Sequence, residues 1–171
     1  MKSSKVIPVD GEWRDLVWQA MSDKTYPANM DCMWLATDQN GQLAAFLTAG
    51  FGPIPMDALM QVNSESGRVE RLVQDMVATG EAHLLVTVPR PDDFTDLARR
   101  GFFVFDWTDI HRTARQKVDG YEVVAVPNEP KKLGALPHEL ALLVQPVKFA
   151  GITFSTSSRL DVREYFNSVE A

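Results

Sequence analysis

The 171-residue chain contains a single cysteine, Cys32. No disulfide can form within it, which fits a reducing compartment, and the cytoplasm is the expected location. Structural zinc sites built from several thiolates are excluded as well. Cys32 lies in Met30-Asp31-Cys32-Met33-Trp34, where an apolar run begins, and reads as a small buried hydrophobe. A nucleophilic role needs a positioned base, and no motif supplies one.

Positive charge is also scarce. Lys and Arg number 17 against 23 Asp and Glu, for a net charge of −6. The densest basic pairs are Arg99-Arg100 and Lys131-Lys132. Nucleic-acid binding rests on clustered Lys and Arg that neutralise phosphates, so neither nucleic acid nor an anionic membrane is an expected partner. An acidic surface favours a basic protein partner. No apolar stretch approaches the roughly 20 residues that span a bilayer. The N-terminal MKSSKVIPVDGEW lacks the apolar core of a secretory signal. No period of repeat length recurs.

Catalytic signatures are missing too. Only three histidines occur, His83, His111 and His138, far apart and outside any H-E-x-x-H spacing. No G-x-S-x-G elbow is present. The loop Gly50-Phe51-Gly52-Pro53-Ile54-Pro55 lacks the lysine and the glycine spacing of a phosphate loop. It is expected to be a structural crossover. No cofactor or metal is expected.

What is present suits a globular fold. Hydrophobic residues make up 45% and charged residues 23%, too apolar for a disordered chain. Residues 1–171 are expected to form one domain. Trp13, Leu16, Val17, Ala20 and Met21 make an apolar stripe that predicts a helix over 12–22. Residues 33–49 read as a hairpin, with Asn40-Gly41 turning between two apolar runs. Val69, Leu72, Val73, Met76 and Val77 predict an amphipathic helix over 65–79, with Gly80 as its C-terminal cap.

A strand over 82–88 follows, then a short helix through Arg100 with Asp92-Asp93 as its N-cap. The aromatic run 102–109 and the run 121–126 look like a second hairpin. Leu136 to Val144 reads as one or two helical turns, and 147–149 and 152–154 as short strands. The tail from 160 to 166 fits strand and helix equally. The fold class is therefore α+β, with a largely antiparallel sheet built from hairpins and helices packed on it.

Two clusters invite a chemical reading. If the strand continues past Trp107, Asp109 and His111 share a face, as metal ligands would. Two ligands are too few for a site, and a strand end running into a polar turn accounts for them. Phe102, Phe103, Phe105 and Trp107 would stack bases only with interleaved basic residues; without these they read as core.

Several segments resemble small bacterial proteins of the immunity type that accompany polymorphic toxins. WLATDQNGQLAAFLTAGFGPIP (34–55) carries a hairpin of the form WL-x-x-D-x-x-G-x-x-A-x-F followed by a Gly/Pro loop. GFFVFDWTD (101–109), GYEVVAVPNEPKKLGALP (120–137) and VKFAGITF (147–154) are similar to later segments of the same proteins. The resemblance implies a non-enzymatic protein that binds a cognate toxin through a complementary surface. Such surfaces vary among relatives, so no site residue is carried over.

The acidic balance agrees with a basic toxin domain as partner. The residues expected to form the acidic surface are Asp57 after the Gly/Pro loop, Glu65 opening the 65–79 helix, and Glu70 and Asp75 on its wet face. The alternatives are an interaction scaffold for another partner and a hydrolase with a dispersed His/Asp site.

Overall fold

The computed structural model describes residues 26–27, 30–63, 67–107 and 120–171. The helix expected over 12–22, Glu65, Asp109 and His111 lie outside them.

Strands β1 (Met33–Thr37) and β2 (Leu43–Leu47) pair antiparallel as expected, from Met33 opposite Leu47 to Thr37 opposite Leu43. The turn is a tight one closed by a Gly41 N–H to Asp38 C=O bond of 3.0 Å. Of Asn40 and Gly41, only Gly41 takes positive φ, at 76°. A type I turn followed by one left-handed residue therefore replaces a turn with both residues left-handed. Asp38 organises it. One carboxylate oxygen accepts from the Asn40 and Gln42 amides, both at 2.9 Å, and the other accepts from the Phe154 amide at 3.0 Å.

Two-residue strand β3 (Ile54–Pro55) follows, then a 3-10 turn at Met56–Ala58 and helix α1 (Leu59–Val62). Helix α2 (Arg68–Gln74), strand β4 (Ala82–Leu84), helix α3 (Asp92–Arg99) and strands β5 (Phe103–Asp106) and β6 (Tyr121–Pro127) come next. Helix α4 (His138–Val144) and the short strands β7 (Arg159–Leu160) and β8 (Ser168–Val169) complete the chain.

The main sheet runs β1-β2-β5-β6-β4, with β7 sharing β6's outer edge. The fold is α+β, with five of the six strand pairings among the described residues antiparallel. The exception corrects the hairpin-only picture: β2 and β5 are parallel, Ala44 opposite Phe103 through Leu47 opposite Asp106. Parallel neighbours need a long crossover, and the chain from α1 to α3 provides it. β5 and β6 form the expected antiparallel pair, with a register shift between Val104 and Phe105.

Several elements differ from expectation. Helix α2 ends at Gln74 rather than near residue 79, because Arg100 intercepts it. The Arg100 guanidinium donates to the carbonyls of Gln74 at 3.2 Å and Met76 at 3.0 Å. β4 stops at Leu84, and Ile54–Pro55 pairs with β8 instead of remaining loop. Proline is tolerated there because the pair is only two residues long and lies at an edge.

Pro91, not an aspartate, holds the N-cap position of α3, with no side-chain cap bond; Asp92 and Asp93 fill the first turn, where they complement the helix dipole. The expected strands at 147–149 and 152–154 reduce to a bridge between Thr37 and Lys148 and a 3-10 turn at Phe154–Thr156.

Both faces of the central strands are covered, which is why β1 and β2 read as continuous apolar runs. Trp34, Phe46, Phe103, Phe105 and Tyr121 face one core, closed by Phe149, Phe154 and Val162 from the C-terminal segment. Trp34 and Phe46 stack 4.1 Å apart there, with the Tyr121 ring edge-on to both. Leu35, Leu43, Ala45 and Val104 face the second core, built with Val69 and Val73 of α2, Leu97 of α3 and Leu140 of α4. Phe102, Phe103 and Phe105 are buried as expected of core, and Trp107 packs against the first core, with its ring edge-on to Tyr121. Among the described residues no helix is long and apolar enough to cross a membrane.

Candidate functional site

The parallel pair creates an open end. β2 and β5 finish side by side at Leu47 and Asp106, where β1 begins. Helices α2 and α3 flank this end, and Val88–Arg90 completes the lining of a cavity of about 700 Å³. Its apolar wall is made by Cys32, Met33, Leu47, Val73, Phe94 and Leu97. Its charged groups are Asp31, Glu70, Asp93, Asp96 and Asp106, against one arginine, Arg90.

These carboxylates differ in how they are engaged. Asp96 is ion-paired with Arg100. Asp31 accepts from the Ala49 amide at 2.8 Å and from the Thr48 hydroxyl at 3.3 Å. Thr48 Oγ1 in turn accepts from the Cys32 amide at 2.9 Å, so the start of β1 is tied to the end of β2. Asp106 is buried at the end of β5. Glu70 is half-buried on α2, and Asp93 is exposed on α3.

Beyond β2 the chain turns sharply. Ala49 and Gly50 are both left-handed, with φ of 49° and 78°, and the Phe51 amide bonds back to the Thr48 carbonyl at 3.0 Å. Left-handed alanine costs about 1–2 kcal/mol, and the Asp31 bond to its amide holds it there. The turn leaves Phe51 72% exposed.

The following loop is pinned from beneath. The Tyr26 hydroxyl donates to the Gly52 carbonyl at 2.8 Å, and the Tyr121 hydroxyl to the Pro53 carbonyl at 2.9 Å. A side chain at residue 52 would collide with the Tyr121 hydroxyl and sit 3.0 Å from Trp107 Cβ, so glycine is required by close approach. Gly50 to Pro53 thus make a structural crossover, while Ile54 and Pro55 of the expected loop form β3.

Cys32 is 6% exposed and donates its thiol to the Met30 carbonyl at 3.6 Å. Burial pushes the thiol pKa up, and the Asp31 and Glu70 carboxylates push it the same way. It stays a thiol at neutral pH, the poorly nucleophilic form. Of the described histidines, His83 on β4 and His138 at the start of α4 are exposed, and neither lines the cavity. Among the described residues no three His, Cys, Asp or Glu side chains gather as metal ligands would.

Of the acidic residues expected at the partner surface, Glu70 lines the cavity. Asp57 is exposed in the Met56–Ala58 turn and Asp75 is exposed just past α2; neither reaches it. Sequence reasoning missed Asp31, Asp93, Asp96 and Asp106. Asp106 carried a signal, as a charge interrupting an aromatic run between Phe105 and Trp107. Asp93 was masked by its second role in the first turn of a helix. Comparison with protein-family models, with curated proteins and with solved structures gave no match.

Proposed function

We propose that the protein is a non-enzymatic binding protein that neutralises a basic bacterial toxin domain by direct contact, acting in the cytoplasm as an immunity protein. The observation that carries this reading is the cleft's charge: five carboxylates and one arginine around an apolar wall. A net charge of −6 adds long-range attraction for a basic partner, which speeds association. The protonated Cys32 thiol and the absence of a lining histidine among the described residues give a hydrolase little to work with. The segments that resemble immunity-type proteins point the same way.

Co-expression tests the reading. A toxin-domain gene lying beside this one should kill cells when expressed alone and spare them when this protein is present. Death with both proteins folded and expressed rejects it.

A further inference from the structure

We infer that the cleft between α2 and α3 is the docking site itself, and that it receives a protein segment in which an arginine or lysine is flanked by apolar side chains. The inference rests on the protein-binding reading above and names the surface and the chemistry it accepts.

Size comes first. A hollow of about 700 Å³ falls in the roughly 300–1,000 Å³ range of pockets that enclose whole ligands. It is larger than one side chain needs. Its wall is apolar where Met33, Leu47 and Leu97 meet, so it takes methylene or apolar groups.

Charge selects the occupant. Glu70 and Asp93 project from the two flanking helices, and neither is held in an ion pair within the described residues. They offer a cationic head group two acceptors from separate walls, while the aliphatic stem of Arg or Lys covers the apolar surface. An anionic occupant would meet an excess of carboxylates, with only Arg90 in the lining and Arg100 on Asp96 to offset them.

Exposed apolar side chains next to the lining residues in the chain favour a protein segment over a small cation. Phe51 is 72% exposed and Met30 54% exposed. Along the chain Met30 is next to the lining residue Asp31 and Phe51 is two residues from the lining residue Ala49; neither lines the hollow itself. The Ala49-Gly50 turn holds Phe51 out at a conformational cost. A small ligand inside the hollow would leave these side chains bare, whereas a partner's apolar surface would cover them. Exposed aromatics are typical anchors of protein interfaces.

The test is titration of the full-length protein with a short peptide of alternating arginine and leucine, followed by calorimetry and by amide NMR shifts. The double variant Glu70→Gln/Asp93→Asn should lose about tenfold in affinity at low salt, with the gap closing at high salt. Phe51→Ala should lose about tenfold at any salt. The variant Asp57→Asn/Asp75→Asn removes the same charge outside the cleft and should bind within about twofold of wild type. Shifts should centre on Met33, Leu47 and Leu97.

Equal losses from both double variants, shifts elsewhere, or no binding to folded wild type would overturn the inference. Co-expression separates it from the functional reading. If wild type protects cells and the variant Glu70→Gln/Asp93→Asn/Phe51→Ala protects equally, the cleft is wrong and the function stands. If wild type fails to protect while the titration behaves as described, the cleft stands and the toxin reading falls.

Discussion

Gln61 is a polar residue, 3% exposed, whose amide stands in for a missing strand. Its Oε1 accepts from the Leu35 amide at 2.7 Å, and its Nε2 donates to the Leu35 carbonyl at 2.9 Å and the Leu143 carbonyl at 3.1 Å. The outer edge of β1 would otherwise present unpaired backbone groups. Further along the same edge, the Thr37 amide donates to the Val147 carbonyl and the Thr37 carbonyl accepts from the Phe149 amide. Replacing Gln61 with Ala strands buried backbone groups at about 1–3 kcal/mol apiece before water relieves them. Urea unfolding of Gln61→Ala should show a loss of at least that size. Gln61→Glu keeps the acceptor but turns a buried carboxylate oxygen towards the Leu35 and Leu143 carbonyls, so at neutral pH it should cost at least as much as Ala. A wild-type midpoint for Gln61→Ala would show that the amide is not what closes the edge.

Among the elements, the β1-β2 hairpin depends most on local chemistry. Gly41 sits at φ 76° with open space around its α-carbon. A side chain there meets no steric clash with neighbours, so the cost of replacing it is conformational. Gly41→Val should lower stability by about 1–3 kcal/mol, measured by thermal melting. Gly41→Asn should lose less, since asparagine tolerates the left-handed region. Helix α2 shows the opposite dependence. Its apolar stripe extends past Gln74, yet Arg100 from the end of α3 binds the carbonyl of its last residue, Gln74, and that of Met76 just beyond. Nothing within residues 65–79 announces that contact.

The molecule as a whole is organised by burial on both sheet faces, and this ties its stability to pH. Burial raises the Tyr26 hydroxyl pKa to about 12, helped by the Cys32 and Asp31 charges, and puts Tyr121 well above its ordinary value. Both are raised relative to an unfolded pKa near 10. Their contribution is therefore complete below about pH 10 and is lost as pH rises through 10 towards 12. Melting temperature should be insensitive to these two groups from pH 7 to 9 and should fall steeply above 10. Tyr26→Phe should melt lower than wild type at pH 8, having lost the bond to Gly52, but should lose less between pH 9 and 11.

Legibility in the sequence followed separation along the chain. The hairpin, the stripe of Val69 and Val73 and the aromatic core strand follow from turn chemistry and periodicity, which act between residues a few positions apart. The acidic balance and the lone cysteine likewise need only composition. Tertiary structure decided what lies beyond that reach. Alternation cannot say that β2 adds β5 in parallel, since Ala44 and Phe103 have no local relationship. The cleft follows from that choice. Its carboxylates come from just before β1, from α2, from α3 and from the end of β5, and its arginine from the segment before α3. Each reads locally as a cap, a wet helix face or a strand end, and only the packing of two helices over a parallel pair places them around one hollow.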